Sequence, residues 1–161
     1  MRVLLIDDET RVTDAIKDRF EDVRPSKRRG FNIEIDVANN MYQAHQYLSS
    51  SKTYDLIISD LLLPNRGADL PSTYQGQALT GWFFIHHHIL NTEGRYYEKC
   101  KETAIILFSA YGDIWNNYIK DTNQNNYSER VSLVAKGHIY NNAGGYASLI
   151  KNINQRLNKE V

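Results

Sequence analysis

The chain has 161 residues, the size of one domain with room for a real core. Its 42% apolar and 24% charged residues are those of an ordinary soluble globular protein, and nineteen basic residues balance nineteen acidic ones, which excludes a global field for nucleic acid or a membrane surface. The single cysteine, Cys100, excludes an internal disulfide and suits a reducing compartment.

The chain opens on the apolar run Val3-Leu4-Leu5-Ile6, which ends on Asp7-Asp8-Glu9. A run this short, closed by acids, is not a signal peptide, and nothing in the chain approaches the roughly 18 apolar residues of a membrane span. The expectation is a soluble, cytoplasmic protein. Val12, Ile16, Phe20 and Val23 then recur on one helical face, started by Thr10 or Thr13. A basic turn, 24–30, reads as the solvated end of that helix, where cations complement the dipole. Phe31 to Val37 alternates with period two, as a half-exposed edge strand does. Asn39-Asn40 offers an N-cap to a helix carrying Met41, Ala44 and Leu48.

Leu56-Ile57-Ile58-Ser59 is a second buried-strand pattern and ends on Asp60. The segment 65–79 is a long loop punctuated by Gly, Pro and Asn, and Gly81 precedes a helix carrying Trp82, Phe83, Ile85, Ile89 and Leu90. Ala104 to Phe108 is a third buried strand, ending on Ser109. Asp113 is the expected cap of a helix with Ile114, Trp115, Tyr118 and Ile119. A polar, Asn-rich loop at 121–130 leads to the last strand, Val131 to Ala135, which ends on Lys136. Gly144-Gly145 precedes a final helix with Leu149, Ile150, Ile153 and Leu157. Long loops of this kind are usually functional or mobile.

Five β-α units in strict alternation predict a doubly wound, flavodoxin-like parallel sheet in three α/β/α layers. An edge second strand beside a buried first strand favours the order 2-1-3-4-5. In that fold every strand tip lies on one edge of the sheet, where ligands bind. Asp7, Asp8 and Glu9 are hard oxygen donors that suit Mg²⁺ or Mn²⁺. Each tip alone has a bland reading: acids favour helix starts, Asp60 can be a cap, Ser109 a turn residue, Lys136 a surface lysine. All four tips together suit a metal-bound phosphoryl group carried on a carboxylate.

The pattern resembles the receiver domains of two-component response regulators, the CheY-like family, over nearly the whole chain. The resemblance rests on Asp7-Asp8-Glu9, on Asp60 with Pro64 four residues on, on Ser109-Ala110, on Lys136, and on Gly81 with its helix. It implies that Asp60 is the phosphoacceptor nucleophile. Asp8, Asp60 and the main-chain carbonyl of Leu62 hold the metal, with Asp7 and Glu9 shaping the acidic site. Ser109 donates to a phosphoryl oxygen and Lys136 pairs with the acyl phosphate. Leu62 and Tyr111 flank the approach of water, and Ala110, like them and Glu9, is a modulating residue. The implied donor is a histidine kinase or phosphotransfer protein, with an unspecified downstream protein partner, no nucleic acid or membrane binding, and a monomer or phosphorylation-dependent dimer. The implied organisation is one receiver domain over 1–161, with insertions near 24–30, 65–79 and 121–130 and no output domain.

The chain departs from that family at three places. Gly137 stands where a proline usually follows the lysine, Leu133 stands where many receivers carry a switch Tyr or Phe, and 65–79 is long. These departures suit an alternative, a non-phosphorylated pseudo-receiver that docks constitutively. A third reading, a phosphatase with an aspartyl-phosphate intermediate, needs a second acid two residues after the nucleophile, where this chain has Leu62. His86-His87-His88 reads as a solvated or partly packed helix face, because successive helical positions are about 100° apart and cannot converge on one ion. Cys100 reads as an unreactive free thiol, and the tyrosines and tryptophans as packing residues.

Overall fold

The structure, a computed structural model, describes residues 1–22, 33–74, 78–122, 129–136 and 143–157. The basic turn at 24–30, Val23, Phe31, Asn32, Gly137 and the middle of the Asn-rich loop lie outside the described residues.

Five strands form one parallel sheet: β1 (Arg2–Ile6), β2 (Glu34–Ala38), β3 (Leu56–Ser59), β4 (Ala104–Ser109) and β5 (Val131–Ala135). The order is β2-β1-β3-β4-β5, as the apolar patterning predicts. The registers Ile6↔Ala38, Ile6↔Ser59, Ser59↔Leu107 and Ser109↔Ala135 bring the C-terminal ends onto one edge.

Alternate residues along the inner strands face opposite layers. Leu4, Ile6, Ile57, Ile105 and Leu107 pack under α2 (Met41–Ser49) and α3 (Thr80–Ile85). Val3, Leu5, Leu56, Ile58, Ile106 and Phe108 pack with Val12, Ile16 and Phe20 of α1 (Thr10–Asp22) and with Leu149 and Ile153 of α6 (Ala143–Leu157). Each such side chain contributes about 1.5–3 kcal/mol when fully buried. The exposed pairs Lys17–Asp14 and Lys101–Glu98 contribute ~0–1 kcal/mol each, so the apolar layers hold the sheet together.

Asn40 caps α2 as expected, accepting from the Gln43 amide at 2.9 Å. Other helix starts fall slightly upstream of the expected ones. Thr80 opens α3 and Gly112 opens α5 (Gly112–Thr122), so Gly81 and Asp113 lie within first turns, as does the Gly144-Gly145 pair in α6. The expected third helix is not one regular helix. After Ile85 it continues as a π-helical turn, His86–Leu90, closed by the Asn91 amide on the His86 carbonyl at 2.9 Å. A short α4 (Tyr97–Cys100) follows, unforeseen from periodicity because it has only four residues. Among the described residues no helix is long and apolar enough to cross a membrane.

Candidate functional site: an acidic cluster around a buried lysine

The sheet ladder runs one residue past the strands and so sets the site residues in place. The Asp7 amide donates to the Ala38 carbonyl at 3.1 Å, the Asp60 amide to Ile6 at 2.9 Å, and the Lys136 amide to Ser109 at 3.0 Å. Three of the four predicted strand-end residues are thereby fixed through their backbones. Asp7, Asp60, Ser109 and Lys136 are all buried, whereas Asp8 and Glu9 are exposed.

Two glycines make close packing at this edge possible. A Cβ on Gly81 would lie 2.0 Å from the Asp60 carbonyl oxygen, and one on Gly145 would lie 2.3 Å from the Lys136 carbonyl oxygen. Helices α3 and α6 therefore press directly on the backbones that carry the acid and the lysine. The Gly81 amide donates to Leu61 at 2.8 Å, and the buried Thr80 hydroxyl donates to the Leu63 carbonyl, tying the segment after Asp60 to α3.

The Lys136 ammonium lies among the carboxylates. Its Nζ is 2.5 Å from Asp60 Oδ2, 2.8 Å from Asp7 Oδ2 and 3.3 Å from Glu9 Oε1. The other oxygen of Asp60, Oδ1, accepts from the amides of Leu61 at 2.6 Å and Leu62 at 3.3 Å. Asp7 Oδ1 accepts from the Glu9 amide at 2.9 Å. Burial alone would lower the lysine pKa, but Asp60 and Asp7 outweigh it and hold the ammonium above its ordinary value. Burial pushes the Asp7 carboxyl up to about 6 in spite of Lys136. Burial is the larger cause at Asp7, and the one ammonium, shared with Asp60 and Glu9, does not offset it, which leaves the site short of positive charge.

That shortage is the test of fit for a metal. One carboxylate oxygen each from Asp7, Asp8 and Asp60 lies within 4.8 Å of the others. Hard oxygen donors in excess over local positive charge suit Mg²⁺ or Mn²⁺. The donor set and its spacing fit a divalent cation.

Ser109 is fully buried at the tip of β4, where its Oγ accepts from the Tyr111 amide at 3.3 Å. Ala110 and Tyr111 are exposed, and Leu62 is half-buried. Leu133 is half-buried against the core and meets α5 at Gly112, where an added Cβ would lie 2.9 Å from Leu133 Cδ2.

Reading the sequence missed one feature beside this site. In the 65–79 loop, Ser72–Tyr74 is a 3-10 turn, and Ala68 is buried. His45 and His88 both reach the Ala68 carbonyl, at 3.3 and 3.0 Å. The expected solvated or partly packed face is a packed one: His86 and His87 are half-buried and His88 is buried in the core. Nothing in the spacing of His45 and His88 signals this, because the pairing depends on the π turn. Cys100 is buried, and burial raises its thiol pKa, as an unreactive thiol requires.

A parallel sheet of order 2-1-3-4-5 is the flavodoxin-like, doubly wound α/β fold, and here acids, a hydroxyl and a lysine lie at its C-terminal edge. Comparison with solved structures agrees. The chain superimposes on chemotaxis response regulator CheY4 of Vibrio cholerae with a TM-score of 0.60, at 15% identity, covering 96% of this chain and 97% of that one. It matches the receiver domain of the hybrid histidine kinase CckA with a TM-score of 0.55, at 18% identity, covering 98% and 99%. It also matches the signal receiver domain of a putative LuxO repressor protein from Vibrio parahaemolyticus with a TM-score of 0.58, at 19% identity, covering 98% and 90%. No family model matches the sequence, and no curated protein matches it.

Proposed function

We propose that this chain is a phosphoacceptor receiver: it takes a phosphoryl group onto Asp60 from a histidine kinase or phosphotransfer protein and thereby changes its affinity for a protein partner. The observation that carries the reading is the Lys136 ammonium on Asp60 Oδ2 at 2.5 Å, with the Asp7 and Asp8 carboxylates beside it. A buried ion pair contributes little to stability over an apolar replacement, so a buried carboxylate with a lysine on one oxygen and an acidic pair at its side is poorly explained as structure alone.

In the proposed reaction a carboxylate oxygen of Asp60 attacks the phosphorus of a phosphohistidine. The O–P bond forms, the N–P bond breaks, and the imidazole nitrogen keeps the electron pair. Asp7, Asp8, Asp60 and the Leu62 carbonyl would hold Mg²⁺ or Mn²⁺, which supplies positive charge to the equatorial phosphoryl oxygens. Lys136 adds a second positive charge on the Asp60 side. Ser109, at the next strand tip, would donate to a phosphoryl oxygen. Amides of Leu61 and Leu62 orient the Asp60 carboxylate before reaction.

Leu133 favours a second reading, a constitutive docking module, because it offers no aromatic ring to relay the state of Asp60 to the surface. One experiment separates the two. Incubation with a small acyl phosphate and Mg²⁺ should raise the intact mass by one phosphoryl group, and chelator or Asp60→Asn should abolish the gain. An unchanged mass in the wild-type protein would favour the docking module.

A further inference from the structure

Ala68 is buried, so its carbonyl cannot turn to water and must be satisfied inside the protein. A carbonyl has two acceptor sites, and here an imidazole fills each one. A carbonyl only accepts, so both His45 Nε2 and His88 Nε2 carry the proton. His45 Nδ1 is then the acceptor, and the Tyr96 hydroxyl donates to it at 2.6 Å. The two rings meet edge to face, with centroids 4.8 Å apart. Burial lowers the pKa of both rings, which keeps them neutral and able to share one carbonyl.

This pair grips the segment that starts at the acid site. Leading away from Asp60, Leu61 and Leu62 bond its carboxylate, Leu63 is tied to Thr80, and Ala68 is held by the histidines. Only four residues separate the Leu63 and Ala68 anchors. Between them the chain presses on the start of α2, where a Cβ on Gly67 (φ +80°) would lie 2.8 Å from Tyr42 Cβ. Asp69 beyond Ala68 is also left-handed, at φ +49°. Glycine adopts that conformation freely, whereas at Asp69 it persists only where its surroundings hold it.

We propose that His45 and His88 are positioning residues for Asp60: by clamping the Ala68 carbonyl they fix the course of 61–70, and with it the Leu62 carbonyl and the approach to the carboxylate. The π-helical turn has a purpose in this arrangement, because it brings His88 under the loop. The inference rests on the phosphoacceptor reading for its effect on phosphorylation, and on the acid cluster alone for its effect on metal binding.

The test uses the full chain with His45→Leu, His88→Leu and His88→Gln, since glutamine keeps an N–H near the place of Nε2. In the Leu variants the amides of 64–70 should exchange faster. Phosphorylation by a small acyl phosphate should slow by about fivefold and Mg²⁺ should bind about threefold more weakly, as expected for coupling through packed contacts. His88→Gln should recover most of both. Folded Leu variants with looser 64–70 amides but wild-type Mg²⁺ affinity and phosphorylation would overturn the proposal. If the Leu variants do not fold, the wild-type protein decides: Mg²⁺ should shift the imidazole ¹⁵N resonances of His45 and His88, and unmoved resonances would overturn it. A wild-type protein that binds Mg²⁺ but takes no phosphoryl group would end the phosphoacceptor reading, leaving Mg²⁺ affinity to judge the clamp.

Discussion

The Asp7 carboxyl carries the electrostatic cost of the site. Its folded value, about 6, lies above its ordinary value near 3.8. A group raised in this way favours the folded state at low pH and loses that contribution as pH rises through the folded value. At pH 7.5 without metal, ionised Asp7 therefore destabilises the fold. Asp7→Asn should raise the unfolding free energy of metal-free protein by about 1–3 kcal/mol, after allowance for the weakened contact with Lys136. It should also remove most of the stabilisation that Mg²⁺ gives to the wild type by mass action. Asp8→Ala should lose Mg²⁺ affinity without the gain in stability, because Asp8 is exposed. Calorimetry and urea unfolding with and without Mg²⁺ read both. A less stable Asp7→Asn would mean that its pairing with Lys136 outweighs its burial. Beside it, Leu62 and Tyr111 carry no carboxylate or amide to orient a water toward a phosphorylated Asp60. The phosphorylated form should be long-lived for that reason. Leu62→Asn/Tyr111→Glu should shorten its life after donor removal, and equal decay would show that these side chains do not control water.

At the scale of elements, the described glycines with least room for a side chain lie where helix starts meet strand ends. Gly81→Ala places a methyl 2.0 Å from a backbone oxygen that cannot move without Asp60. The cost should be about 3 kcal/mol or more, with Mg²⁺ binding lost in step. Gly112→Ala is the contrast, since its nearest neighbour is the end of the Leu133 side chain at 2.9 Å, which can shift. There the gain from a stiffer unfolded chain, about 0.4–1 kcal/mol, offsets most of the contact. Unfolding of the two variants checks the difference, and similar costs would mean that Leu133 is as fixed as the backbone. The same contacts explain what could be read from the sequence. Strands β1, β3 and β4 are near-continuous apolar runs because both faces are covered, so their polar ends stood out as Asp7, Asp60 and Ser109; β5, the edge opposite β2, is only partly buried but is apolar enough that Lys136 stood out after it. β2 is an edge and alternated instead. The π turn, α4 and the histidine clamp were not legible. Trp82 to Ile85 are buried on every side, so periodicity carries no phase there, and one extra residue per turn decides where His88 points. The Ala68 contact depends on a loop path that no local pattern encodes.

For the whole molecule, buried titrating groups of opposite sign meet in one pH range. Burial lowers the His88 pKa from 6.5 to about 4, so the fold prefers the neutral ring. That contribution is complete above pH 6.5 and is lost as pH falls toward 4. For His88 alone the loss between pH 7 and 4.5 is about 2–3 kcal/mol. His45 and His86 shift the same way and add to it. Asp7 works against them, since its protonation below pH 6 favours the fold over part of the same interval. Asp36 takes no part there: burial would raise its pKa, but hydrogen bonds from Lys52 and Tyr54 hold it below the usual carboxylate range, so its contribution fades only at lower pH. Metal-free wild-type protein should therefore lose less stability on acidification to pH 4.5 than the histidines alone would cost, because Asp7 offsets part of their loss. Asp7→Asn removes that offset and should expose the histidine loss in full, so the variant starts more stable at pH 7.5 and falls toward or below the wild type by pH 4.5. Urea unfolding of both proteins across that range measures the crossing. Parallel curves would show that Asp7 does not titrate as its burial requires, and a flat curve for Asp7→Asn would show that His88 is not buried neutral in the fold.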